Sequence, residues 1–351
     1  MRYRPLVLTG AALAVVLAGC GGPAPNTAPG PGPVSSAGSV PRRLPEPLPP
    51  PAEPAVAPAV STPPAGHTVP VGSAPEGIVA DPVTRTVAVG VRQPNALVLL
   101  NADTGAVAAT TPLPGVLRHL QLAAPGGPVL VPDESSDSLL RVSLPTGVIE
   151  SRVPTGTSPH DANQASNGTI FVANEGGGSV VAIRGQQVVH SFTDVTQPAG
   201  LAHVGNTTGL LDVRENTLTF YDAQQLSPIV ELPAGDGPTH VVADNHDQLI
   251  VTDTRGGALL VFAVPPQARQ IARLPLPGQP YGIAYDPRRD RLWVTVTAAN
   301  QVVGYDVSAP TPREIARFPT VRQADTVAVD PVTGRLFVTG TADGVVQIID
   351  P

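Results

Sequence analysis

The chain has 351 residues, 42% of them hydrophobic and only 14% charged, with a formal net charge of −7, 43 prolines, 35 glycines and one cysteine. All 21 basic residues are arginine, a bias that points to a GC-rich genome. An acidic chain without a basic stripe argues against nucleic acid as a partner. One cysteine rules out internal disulfides and thiolate metal clusters.

The first 19 residues read as an export signal. Arg2 and Arg4 precede an apolar run from Leu6 to Leu17, too short to cross a bilayer, and the run closes on Leu17-Ala18-Gly19-Cys20. That tetrapeptide resembles the lipobox of bacterial lipoproteins. The resemblance implies a diacylated Cys20 at the mature N-terminus and a chain anchored by lipid to the outer face of the cell membrane. Residues 20–66 follow, dominated by Pro, Ala, Gly and Ser. They bury too little apolar surface to offset ordering, so a disordered spacer is expected, with a reach of roughly 100 Å at about 3.1 Å per residue.

From residue 67 to the end the chain is a repeat. Pro75, Leu117, Pro159, Pro198, Pro238, Pro280 and Ala324 each open a unit, at spacings of 42, 42, 39, 40, 42 and 44. Each unit holds short runs with period-two alternation bounded by Pro, Gly, Asp or Asn, as in Gly282-Ile-Ala-Tyr285, Leu292-Trp-Val-Thr295 and Ile271-Ala-Arg-Leu274. This is the period of a propeller blade of four strands, and seven openings predict an all-β, seven-bladed β-propeller. Asp81, Asp286 and Asp330, each followed by Pro, read as turn formers. The last unit stops after its third strand. His67-Thr-Val-Pro70 resembles the fourth-strand ends of other units, so it is expected to complete blade seven and close the ring.

Phe171-Val-Ala-Asn174, Leu249-Ile-Val-Thr-Asp253, Leu292-Trp-Val-Thr-Val296 and Leu336-Phe-Val-Thr-Gly340 resemble the YVTN repeat of bacterial seven-bladed, YncE-like propellers. Only Asn174 keeps the family's asparagine. One Trp and no Trp-Asp dipeptide argue against the WD40 group. The resemblance covers residues 67–351 and implies the fold, which many functions share.

Loops entering the first strands and loops joining second to third strands should share one face at the channel mouth. The residues there are Glu76, Arg118, His119, His160, Asp161, His240, Tyr281 and Asp325, with Asp133, Asn174, Glu175, Asp212 and Asp253 at or beside the second-strand ends and Glu134 next to Asp133. Two readings of this polar sector stand side by side. Imidazoles and carboxylates in one cleft suit a divalent metal, with His119, His160 and His240 as ligand candidates, or acid-base chemistry. Alternatively, Asp and Asn at a strand end cap the next turn, and His at a strand start fills the channel wall. His67, His190, His203 and His246 fall outside this series and read as surface or strand residues. Aromatic content of 3% argues against sugar-stacking platforms.

The expected function is a monomeric head that binds a ligand, an envelope protein or a cell-wall component while held at the membrane. The alternative is a metal-assisted, lactonase-like hydrolase. Convergence of the three histidines to within about 5 Å would favour chemistry and dispersal would favour binding.

Overall fold

The computed structural model describes residues 48–351 apart from Pro310; the export signal, Cys20 and the first part of the spacer lie outside the described residues. Seven four-stranded antiparallel sheets follow one another around a ring, and no α-helix occurs among the described residues. Blade six is representative, with strands Pro280–Asp286, Arg291–Val296, Gln301–Asp306 and Arg313–Pro319.

The patterning explains the layering. Second and third strands are apolar on both faces and buried along their middles, because each lies between two neighbouring sheets; Thr86–Val91 and Ala96–Asn101 of blade one are examples, the latter half-buried only at Asn101. Outer strands such as Val107–Pro112 alternate exposed and half-buried residues. The core therefore sits between blades. Ala88, Leu97 and Leu99 of blade one pack on Leu117, Val129, Val131 and Leu140 of blade two, and Ile78, Val87 and Val89 pack on Phe337, Val346 and Ile348 of blade seven. The single Trp, Trp293, is buried between blades six and seven with Val327 and Leu336.

The ring closes as the sequence implies. His67–Pro70 pairs antiparallel with Val345–Ile349, His67 opposite Ile348 and Pro70 opposite Val345, so the N-terminal strand is the outer strand of blade seven. A buried ion pair locks the same seam. Arg85 of blade one donates to Asp330 of blade seven at 2.6 and 2.8 Å, and the Asp330 side chain is fully buried. Residues 48–66 contain neither helix nor strand, yet they are held in place. Ala57 is buried and its N–H donates to Gln323 Oε1 at 3.0 Å, while Gln323 Nε2 donates to the Ala55 carbonyl at 2.8 Å. Asn300 Nδ2 donates to the Pro58 carbonyl at 3.0 Å, and Arg214 and Arg255 donate to the carbonyls of Pro49 and Pro50. A Pro-rich chain makes few hydrogen bonds within itself, so its carbonyls are free for such donors. The last part of the expected spacer is thus a strap across the face formed by the loops that enter the first strands.

Two outcomes are expected. Deleting 67–70 exposes the edge of Val345–Ile349 and should lower both the midpoint and the slope of urea unfolding followed by circular dichroism; an unchanged curve would refute the closure. Burial alone raises the Asp330 carboxyl, but the bonds from Arg85 and Thr333 outweigh it and hold the pKa at about 2, below the ordinary 3.8. The stability it contributes is present above pH 3.8 and lost as pH falls through about 2. Arg85→Ala should cost about 1–3 kcal/mol near neutral pH and weaken this acid dependence, as read from unfolding curves at several pH values.

Candidate functional site

The first strands line the central channel, and local irregularities decide which side chains reach it. The pairing of first to second strand slips between Pro159 and Asp161, between Pro238 and His240, and between Pro198 and Leu201. In blade two the first strand is only Gln121–Leu122, so Arg118 and His119 precede it in a loop. His119 and His240 occupy equivalent repeat positions, whereas His160 stands one residue earlier, at the position of Arg118. A shift of one residue turns a strand side chain to a different surface. His119 and His240 accordingly line the channel, and His160 lies under the strap beside Pro51, Ala52 and Glu53.

The three histidines nevertheless converge. The His119 ring centroid is 4.4 Å from that of His160 and 4.5 Å from that of His240, and the His240 ring stands 4.5 Å from Tyr281. Their environments differ sharply. His160 Nδ1 is 2.8 Å from Glu175 and 3.6 Å from Glu134. Burial alone would lower its pKa, but these two carboxylates outweigh burial and raise it to about 10. The same pairing outweighs burial at Glu175 and holds its carboxyl at about 2. His240 has no carboxylate partner; burial first, then the charges of His119 and His160, push its pKa well below 6.5, and both of its ring nitrogens are buried without a hydrogen bond. One cluster thus holds a charged and a neutral imidazole at neutral pH.

Asp161 is a structural hub. Its carboxylate accepts from Gln121 Nε2 at 2.9 Å, from the Leu201 N–H at 2.8 Å and from the Ala162 N–H at 2.8 Å, with His119 Nδ1 3.7 Å away. Arg118 lies between Glu134 at 3.4 Å and Glu53 of the strap at 3.8 Å. Burial would lower its pKa, but Glu76, Glu134, Glu53 and Glu175 raise it overall. Tyr281 is buried beside Glu53, and burial pushes its hydroxyl well above 10. Glu76 is tied to Arg92, and Asp325 accepts from Gln323 at 2.9 Å; burial, with Glu76 and Glu53 nearby, raises the Asp325 carboxyl to about 6.

The remaining predicted residues do not join this group. Asp133, Asp212 and Asp253 are buried and accept from backbone amides of the loop entering their own blade and of the adjoining turn, Asp253 through Oδ1 alone while its Oδ2 has no hydrogen-bond partner. Asp133 accepts from Gly115 and Ser136, Asp212 from Thr196, Gln197, Arg214 and Glu215, and Asp253 from Asp236, Gly237 and Gly256. Asn174 donates to the Thr155 carbonyl and to Ser179. A Cβ on Gly115 would stand 2.1 Å from the Asp133 carboxylate, so the loop's glycine is what lets this latch close. The three aspartates act as turn caps, the second of the two readings of the sequence, whereas the Asn174 side chain does not cap its turn.

Sequence reasoning missed the lower part of the channel. A cavity of about 430 Å³ runs from His119 and His240 past Gln121, Asn163 and His203 to Pro82, Pro125, Pro287 and Pro331, in turns of the opposite face. Its walls are apolar, with Ile78, Ala80, Val242, Ile283, Val327 and Val329. His203 lies on the strand Pro198–Val204, within the expectation of a surface or strand residue, but it also lines the cavity: its Nδ1 pairs with Asn163 Oδ1 at 2.9 Å, and burial lowers its pKa. Asn163 in turn donates to Gln121 Oε1 at 2.5 Å. The available signal was polar residues two positions beyond His119, Asp161 and Leu201, on the same face of strands that are otherwise apolar. His67, His190 and His246 are exposed, as expected.

No protein-family model matches the chain, and no curated protein matches it. Many solved structures do. Virginiamycin B lyase from Staphylococcus aureus is 15% identical with a TM-score of 0.65, covering 79% of this chain and 95% of its own. A catalytically inactive histidine variant of that lyase with quinupristin gives 16% and 0.67, covering 81% and 98%. A Kuenenia stuttgartiensis hydrazine synthase chain gives 17% and 0.70, covering 79% and 96%. Likeness at this identity carries the seven-bladed fold and nothing further.

Asp212→Ala should strand four backbone amides and cost about 2–4 kcal/mol in urea unfolding, with no effect on the channel. A loss below about 0.5 kcal/mol would show that the latch carries no stability.

Proposed function

We propose that the chain is an exported lipoprotein, anchored through Cys20, whose propeller head binds one small molecule in its central channel. The cavity carries this reading. At about 430 Å³ it falls in the size range of pockets that hold a drug-sized ligand, and it combines apolar walls with a few convergent polar groups at one end. The preferred ligand is an amphiphile with its polar end at His119, His203, His240, Gln121 and Asn163 and its apolar body along Ile78, Val242, Ile283 and Val327. The acidic surface and the lipobox fit a role in the cell envelope, and the repeats fit a YVTN-type propeller. An envelope protein or cell-wall polymer docking on the head belongs to the same binding role.

A second reading, a metal-assisted hydrolase or lyase, is favoured by the approach of His160 and His240 to His119, at 4.4 and 4.5 Å between ring centroids, and by the neutral His240. A neutral imidazole keeps a lone pair free for a metal ion or a transferred proton. The lyases that share the fold, one of them inactivated at a histidine and bound to quinupristin, make cyclic esters and peptides reasonable first substrates.

The test is a thermal-shift screen of the head with lactones, esters, cyclic depsipeptides and medium-chain amphiphiles, each hit then followed by mass spectrometry for turnover. At least one compound should raise the melting temperature, and Ala243→Trp, which fills the channel, should weaken that compound's binding at least tenfold. Hits that bind the Trp variant equally well would remove the channel from the proposal. Product formation lost in His240→Ala would favour the second reading.

A further inference from the structure

Glu134, His160 and Glu175 meet beneath the strap. Glu134 and Glu175 open the single 3-10 turns that join second to third strands in blades two and three, and His160 stands on the first strand of blade three. Three separate elements therefore each bring one donor atom to within 4.8 Å of the others. The His160 side chain is 7% exposed, so its nitrogen has no recourse to bulk water.

The decisive observation is the direction of approach. His160 Nδ1 lies 2.8 Å from one Glu175 oxygen and 3.6 Å from one Glu134 oxygen, yet makes no hydrogen bond of acceptable geometry to either. Arg118 Nε, 3.4 Å from Glu134, is likewise without a hydrogen bond. A buried nitrogen left unpaired costs roughly 1–3 kcal/mol, and a small rotation toward Glu175 would remove that cost if pairing were its only role. Donor atoms that share an ion behave otherwise: with ligand distances of about 2.0–2.2 Å, neighbouring ligands stand about 3–3.5 Å apart and face a common point rather than one another. A gap of about 20 Å³, on the scale of a single ion or water, is lined by His160, Glu175 and Arg118 together with Pro51, Ala52 and Glu53, and Glu134 approaches His160 from outside that lining.

We propose that Glu134, His160 and Glu175 bind one divalent cation of borderline character, Zn²⁺ or Mn²⁺, at the strap-covered mouth of the channel. One imidazole and two carboxylates form an N/O set without thiolate, which suits these ions and disfavours Cu⁺. The two carboxylates match the dication's charge. This set differs from the three-histidine set suggested by the repeat positions, because His119 and His240 turn to the channel while His160 turns to the second-to-third-strand loops. The site would give the hydrolase reading its ion, but it rests on neither catalysis nor channel binding.

The test uses the full chain in detergent, stripped with chelator and titrated calorimetrically with MnCl₂ and separately with ZnCl₂, with Mn²⁺ electron paramagnetic resonance as a second readout. One ion should bind per chain. Glu134→Gln and Glu175→Gln should each weaken it at least thirtyfold, while His246→Ala, at an exposed histidine paired with Asp290, should leave it unchanged. Glu134→Gln spares the close His160–Glu175 contact, so it carries the test if Glu175→Gln does not fold. Absence of stoichiometric binding of either ion, wild-type affinity in Glu134→Gln, or an equal loss in His246→Ala would each overturn the proposal.

Discussion

Pairing of His67–Pro70 with Val345–Ile349 is the contact on which the ring depends. Without it blade seven has an open edge, and Val346 and Ile348, which pack on blade one, lose the strand that covers them. Every interblade cluster relies on neighbours on both sides, so a gap at one seam removes support from the sheets next to it. The Arg85–Asp330 pair lies across that same seam and adds a directional, charge-assisted bond where chain continuity is lacking.

Closure by the N-terminal strand also fixes the path of the chain before it. Residue 66 must lie at the outer edge of blade seven, and the preceding residues run over Gln323 and Asn300, past Arg118 near the axis, and on to Arg255 and Arg214. The same topology that removes the sheet edge therefore covers one mouth of the channel. The cavity is lined at its far end by Pro82, Pro125, Pro287 and Pro331, on the face opposite the strap, and the proposed ligand would enter there.

Two histidines that both lie within 4.5 Å of His119 show how environment rather than residue type sets charge. His160 lies beside two carboxylates and holds a proton far above neutral pH; His240 meets only other imidazoles, a tyrosine ring and apolar walls, and does not. Their separation to different surfaces follows from repeat position: the pairing slips at the same place in both blades, between Pro159 and Asp161 and between Pro238 and His240, and His160 stands one residue before the position of His240.

The sequence by itself determined the repeat, the number of blades, the turn-forming aspartates and the closing strand, because each rests on local alternation and on turn chemistry that recur seven times. It also placed His119, His160 and His240 in one sector, since residues at matching or adjacent repeat offsets gather at one mouth of a ring. Only the tertiary structure decided how that sector is divided. Asp133, Asp212 and Asp253 are engaged by loop amides, His203 joins the channel, and His160 Nδ1 faces Glu134 and Glu175. The physical reason is that these outcomes depend on one-residue shifts in strand register, and on a strap whose carbonyls find donors more than a hundred residues away in sequence. Neither leaves a periodic trace in the chain.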